Sequence, residues 1–215
     1  MAVEEIARAC AATATIFAGQ YLGMYPVLLA GTEEQKLRFL PGLARGERLA
    51  AFALTEPEAG SDVAAIQMTA RRDGEDYVLT GTKQFITSGD VAGILTVFAS
   101  TDRSQGHRGL STFVVEQGTP GLRVARIEKK MGIRGSTTAA LEFQDCRVPA
   151  VNRLGAEGQG FKIAMQVLDR ARPSVAAIAV GIAQAALDQS LDYAQTRKQF
   201  GQPIANFQAI QFMIA

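Results

Sequence analysis

Histidine and cysteine are scarce in this 215-residue chain, and neither sign of charge dominates it. The one histidine, His107, lies in the polar run TDRSQGHRG, which reads as a solvated loop. That argues against a histidine-based catalytic triad and against a multi-histidine metal site. The two cysteines, Cys10 and Cys146, make no disulfide framework and no CxxC pattern. With 22 basic and 21 acidic side chains the net charge is +1. No global field draws the chain to nucleic acid or to an anionic membrane, although local contacts to phosphate stay open. From Ala9 to Thr32 charge is missing altogether, which raises the question of a membrane span. Thr13, Thr15, Gln20, Pro26 and several small residues keep that run only modestly hydrophobic, so a buried helix pair is expected instead. Glu4 and Glu5 do not suit the basic start of a signal peptide, and a cytoplasmic location is expected.

What is present suits a soluble globular chain: 47% apolar and 20% charged residues, long enough for one large domain or two modest ones. The first fifty residues carry helical patterns. Thr32-Glu33-Glu34-Gln35 has the form of a capping box, Leu37, Leu40 and Leu43 supply an apolar face, and Pro41 predicts a kink or an early stop. From Ala51 the period changes to two. Ile66, Met68 and Ala70 alternate with polar residues, as do Tyr77 and Leu79, with a hairpin turn at Asp73-Gly74-Glu75-Asp76 between them. Further strands are expected over Val91–Ala99, Ser111–Glu116 (Phe113 and Val115 on one face), Leu122–Ile127 and Ala139–Phe143. Several antiparallel strands in this length predict a β-barrel or sandwich. Helical spacing returns after Gly158, with Pro173 as a kink or a start, and breaks at Gly201 and Pro203. A last helix opens near Asn206 and is still in pattern at Ala215, as expected for a piece of a larger protein.

The stretch LTEPEAGSD, Leu54 to Asp62, places threonine, carboxylates, proline and glycine directly after an apolar strand. On its own chemistry it is either a strand end that turns or a loop built to hold a ligand. GTEEQKLRFLPGLARGE, LTEPEAGSD, GTKQFITSG, MGIRGSTTAALEFQDCRVP, GQGFKIAMQVLDRARP and RKQFGQPIANFQAIQ, taken together and in this order, resemble the acyl-CoA dehydrogenase family, with the short-chain (butyryl-CoA) members most alike. The resemblance covers almost the whole chain. It implies an α+β architecture: residues 1–50 as the second half of an N-terminal helical domain, 51–156 as a middle antiparallel β-barrel or sandwich domain, and 157–215 as the beginning of a C-terminal helical bundle.

The chemistry implied by the resemblance is FAD-dependent α,β-dehydrogenation of an acyl-CoA thioester, with electrons passed to an electron-transferring flavoprotein by a homodimer or homotetramer. The cofactor carries the redox step. On the same resemblance Phe52, Leu54 and Thr55 lie along the flavin, and Thr55 donates its hydroxyl to the ring edge. Phe85 stands where many relatives have tryptophan, beside Ile86, and Thr87 bonds to flavin N5. Arg197, Gln199, Phe200 and Gln208 reach the FAD of a neighbouring subunit, the arginine near its pyrophosphate. Ser61, Asp169 and Arg172 face the substrate. Arg134, in a structured loop, is a further functional position, whereas Lys129 and Lys130 read as a solvated face. No residue of the chain is assigned as the catalytic base. The usual glutamate is expected beyond Ala215, and Ala171 occupies the helix position that holds the base in a minority of relatives. Read without the resemblance, Thr55 and Ser61 also fit turn capping, Phe85 a packed strand aromatic, Arg197 a solvated helix end, and Asp169 with Arg172 an intrahelical ion pair. Other readings are an acyl-CoA oxidase, a flavin monooxygenase or a non-catalytic interaction module.

Overall fold

The structure is a computed structural model and describes residues 2–215. Three helices come first: α1 (Ala2–Ala9), α2 (Ala11–Ala30) and α3 (Glu33–Ala44). The uncharged run is therefore mostly one helix and not a buried pair. It follows a break at Cys10, whose backbone is extended. Its side chains are mostly half-buried, with Ala14, Gly23, Pro26 and Val27 fully covered. At Gly23 the helix meets strand β1 (Ala50–Ala53) so closely that a Cβ would lie 2.6 Å from the Ala50 carbonyl carbon. Only glycine permits that approach.

The capping box at Thr32 forms as expected. Gln35 N donates to Thr32 Oγ1 at 3.2 Å, and Thr32 N donates to Gln35 Oε1 at 2.8 Å. Pro41 neither kinks α3 to a stop nor shortens it, since the helix runs on to Ala44.

The β-region holds β2 (Thr69–Asp73), β3 (Asp76–Thr87), β4 (Ile94–Ser100), β5 (Leu110–Glu116), β6 (Leu122–Ile127), β7 (Thr138–Pro149) and β8 (Arg153–Leu154). The sheet order is β6-β7-β3-β2-β4-β5-β8, with β1 also paired to β4. In the sheet ladder the two halves, β6-β7-β3-β2 and β1-β4-β5-β8, pair through Thr69 with Ser100, the one such pair among the described residues. Their inner faces meet: Tyr77 of β3 and Phe113 of β5 have ring centroids 4.8 Å apart. This is the sandwich-like arrangement expected, but it is not wholly antiparallel, because β1 runs parallel to β4. The N-terminal helices precede β1 and deliver it in that direction.

Strand bounds differ from the sequence reading where turns intervene. Ile66 and Met68 precede β2, because Val63–Ala65 forms a 3₁₀ turn. β4 starts at Ile94 and not Val91, because Val91 and Ala92 still donate to the Ser88 carbonyl. β5 is buried on both faces. Phe113 and Val115 enter the core between the sheet halves, while Val114 joins Ile94, Ala50, Val27 and Phe39 in a second cluster under the helices. Double burial of a central strand erases the polar alternation that period-two reading depends on.

Helix α4 (Gly160–Thr196) is continuous through Pro173, neither kinked to a stop nor begun there. Its first turns enter the core through Ile163, Ala164 and Val167. Beyond them it lies along α1 and α2, with Arg8 bonded to Asp188 at 2.8 Å. On length and composition alone it would pass for a membrane span. A short hairpin, β9 (Lys198–Gln199) with β10 (Gln202–Pro203), then leads to α5 (Gln208–Ile214). Cys10 is exposed and Cys146 buried, both as free thiols. Burial pushes the Cys146 thiol up to about 11, so it is inert at neutral pH.

Candidate functional site

Two segments whose bonded residues are 29 apart in sequence meet at the end of β1. Gln84 N donates to the Thr55 carbonyl at 2.8 Å, and Lys83 Nζ donates to the Leu54 carbonyl at 2.9 Å. Gln84 is free to do this because β3 is irregular there. Its pairing with β7 slips between Lys83 and Ile86, where Lys83 faces Leu141 and Ile86 faces Ala139. An extra residue of this kind turns a strand and re-aims its side chains. Phe85 accordingly has a left-handed backbone (φ 59°), and the residue is 60% exposed. Ile86 returns to the core, and Thr87 follows half-buried. Ser88 is also left-handed (φ 57°), and its N–H donates to the Thr137 carbonyl at 3.0 Å.

The hydroxyls of Thr55 and Thr87 have no hydrogen-bond partner among the described residues. Thr87 lies under α2, where a Cβ on Gly19 would come within 3.2 Å of its Cγ2. Phe52, on β1, is half-buried with its ring edge-on to Phe98 at 5.0 Å. Leu54 is buried at the edge of the core. Next to the bond from Ser88 N to the Thr137 carbonyl, a groove of about 440 Å³ is lined by residues that include Lys129, Lys130, Arg134, Ser136 and Thr137. Lys130 is not the solvated cation read from sequence: it is half-buried and donates to the Ser136 carbonyl. The Ser136 hydroxyl is buried without a partner among the described residues, and Arg134 is exposed at the rim.

The other expected site residues do not join this cluster. Ser61 is exposed in the loop beyond the Glu56–Ala59 bridge. Asp169 and Arg172 bond to each other at 2.5 Å on the outside of α4, about 70% exposed. Arg197 ends α4 and accepts from Ile204 N, while Phe200 is left-handed (φ 51°), 93% exposed and edge-on to Phe207. Gln199 and Gln208 are exposed nearby. The bonds and ring contact named for this group lie within α4, α5 and the segment that joins them. His107 is exposed as expected, its ring 5.1 Å from that of Phe161.

Sequence reasoning passed over Lys83 and its partner Glu56. Lys83 is fully buried and Glu56 is 5% exposed, with Nζ to Oε1 at 2.8 Å. Removal from water pushes the Lys83 ammonium down to about 8, with Glu56 acting against that shift. A signal was available. Tyr77, Leu79 and Gly81 share a strand face with Lys83 by period two, and a lysine on a core face requires a carboxylate.

Comparison with known proteins gives the setting of this cluster. Residues 1–47, 51–146 and 158–215 match, in turn, the family descriptions "Acyl-CoA dehydrogenase, N-terminal domain", "middle domain" and "C-terminal domain". An acryloyl-CoA reductase (NADH) of Anaerotignum propionicum is 51% identical over all of this chain and 55% of its own length. The chain superposes on butyryl-CoA dehydrogenase from Megasphaera elsdenii with a TM-score of 0.97 and 47% identity, covering 99% of this chain and 56% of that one. An acyl-CoA dehydrogenase of Bacillus anthracis solved with FAD gives 0.92 and 41%, covering 99% and 36%. The chain spans about half the length of the curated relatives it matches. These matches cover all three regions of the fold just described, and the chain belongs to the acyl-CoA dehydrogenase family of FAD-binding flavoproteins.

Proposed function

We propose that this chain carries the flavin- and acyl-CoA-binding core of an enzyme that removes hydrogen from the α and β carbons of an acyl-CoA thioester, and that short acyl groups are its substrates. The observation that carries the reading is the meeting of the Thr55 segment with Phe85–Thr87. It leaves one aromatic ring and two hydroxyls uncommitted on neighbouring segments. These groups fit a flavin, a planar ring with hydrogen-bond acceptors along one edge. FAD, when bound, supplies the two-electron acceptor for the dehydrogenation.

In this reading Thr55 and Thr87 donate to the ring, Phe85 covers it and Ile86 holds the strand end beneath it. Arg197, Gln199, Phe200 and Gln208 serve the dinucleotide end of FAD bound to a second copy of the protein. Their exposure and their separation from the flavin cluster support that division. Ser61, Asp169 and Arg172 contact the acyl-CoA. Asp169 and Arg172 neutralise each other until the substrate arrives. Among the described residues no buried carboxylate near the flavin segments is free, because Glu56 is taken up by Lys83 and two backbone N–H groups. The base for the α-proton is therefore assigned to a carboxylate outside this cluster. An electron-transferring flavoprotein is the proposed electron acceptor.

The name of the Anaerotignum relative favours a second reading, in which the same site reduces a 2-enoyl-CoA. One experiment tests both. The purified protein is expected to show a flavin band near about 450 nm. Butyryl-CoA bleaching that band supports dehydrogenation. Recolouring of the reduced protein by crotonyl-CoA, with no bleaching by butyryl-CoA, supports the reductive direction. A folded, colourless protein that takes up no FAD overturns both.

A further inference from the structure

The buried pair Lys83–Glu56 has no part in the assignments above, yet it lies where the two flavin-facing segments are joined. Three consecutive residues of one segment are tied to two consecutive residues of the other. The Leu54 carbonyl accepts from Lys83 Nζ at 2.9 Å, the Thr55 carbonyl from Gln84 N at 2.8 Å, and Glu56 Oε1 from Lys83 Nζ at 2.8 Å. Glu56 is itself anchored by backbone, its Oε2 accepting from Gln67 N at 2.6 Å and its Oε1 also from Met68 N at 3.1 Å. The ammonium thus spans the loop from its first residue to its third, with Thr55 between. On the β3 side, Lys83 is the last residue before the pairing slip that turns Phe85 outward.

Stability alone is a poor reason for such a pair. Removing two charges from water is costly, and apolar residues of similar volume commonly serve a core as well or better. What an ion pair with these bonds adds is direction. It fixes a loop carbonyl and a loop carboxylate relative to one strand residue, which apolar packing does not.

We propose that Lys83 and Glu56 are positioning residues that set the separation between Thr55 and the Phe85–Thr87 strand end, and so set the geometry offered to the flavin. The inference rests on the cofactor reading given above. It predicts that breaking the pair changes flavin binding and the flavin spectrum even where the fold survives.

The test compares the FAD-loaded wild-type protein with Lys83→Met and with the double variant Lys83→Met/Glu56→Leu. The double variant leaves no unpaired charge in the core and is the one designed to stay folded. FAD affinity is read by fluorescence titration and the visible band by absorbance, with circular dichroism as the check on folding. The expected result is a folded double variant with FAD affinity weaker by about tenfold or more and an altered band shape. A folded double variant with wild-type affinity and spectrum overturns the proposal and leaves the pair a purely structural element. A wild-type protein that takes up no flavin overturns the cofactor reading instead, which separates the two failures.

Discussion

Thr87 presents a hydroxyl that no protein group among the described residues takes up, on a strand end fixed on one side by α2 and on the other by β7. If that hydroxyl serves the flavin, Thr87→Val removes one hydrogen bond and little else. One such bond contributes about 1 kcal/mol, so FAD affinity should fall about fivefold with the melting temperature unchanged. An unaltered dissociation constant would count against the role. Lys83 makes a different prediction, in pH. In the fold, burial lowers its pKa to about 8 from an ordinary value of 10.5. Between those values the unfolded chain binds more protons than the folded one, so this residue's contribution to stability rises with pH. Below the window both states are protonated and the contribution is flat. The wild-type-minus-Lys83→Met difference in unfolding free energy should therefore climb from pH 8 to 10.5. Urea titrations at stepped pH measure it, and a difference independent of pH would show that the ammonium is not desolvated.

At the scale of elements, the start of α3 does two jobs. Thr32 and Gln35 cap the helix, and Gln35 Nε2 also donates to the Val151 and Arg153 carbonyls at 2.7 and 2.9 Å. Thr32→Ala should cost about 1 kcal/mol, the ordinary value of a lost cap. Gln35→Ala loses the reciprocal half of the box and strands two carbonyls near β8, so about 2–3 kcal/mol is expected. Equal losses in denaturant unfolding would mean that the link from α3 to β8 contributes nothing. The box itself was legible in the sequence, since four contiguous residues carry it. The link was not, because it joins residues more than a hundred positions apart. The same distinction explains the strands. The hairpin at Asp73–Asp76 is local chemistry and was legible, with Asp73 paired to Asp76. The parallel pairing of β1 with β4 is decided by how α2 and α3 lie on the sheet, which no local pattern reports.

At the scale of the whole molecule, two groups of expected flavin residues occupy separate regions. Thr55 and Phe85–Thr87 sit at the end of the sheet, while Arg197, Gln199, Phe200 and Gln208 sit past α4. Large apolar side chains are exposed on the second region, including Phe200, Phe212, Met213 and Leu191. Exposed apolar surface of this kind suits packing against a further surface, of this protein or of a second copy. If one copy supplies the first group and its neighbour the second, defects in the two groups should complement each other. Arg197→Ala and Thr87→Val proteins, each weakened in FAD binding, would regain intact sites when dissociated and reassembled together. An equal mixture of two-fold dimers would restore about a quarter of all sites. No recovery in flavin uptake would place both groups in the same copy's site or remove one of them from it.

The sequence by itself determined the family resemblance, the order of helical and β regions, the caps and tight turns, and the segments that face the flavin in the proposed site. These are written in short contiguous blocks, because turn chemistry, capping and backbone strain act over a few residues. Only the tertiary structure decided that Lys83 is buried, that Glu56 answers it across 27 residues, and that a slip in β3 frees Gln84 to hold Thr55 and turns Phe85 outward. Those outcomes depend on which groups are withdrawn from water together. Desolvation is set by the neighbours a fold gathers from distant parts of the chain, and local spacing carries no record of them.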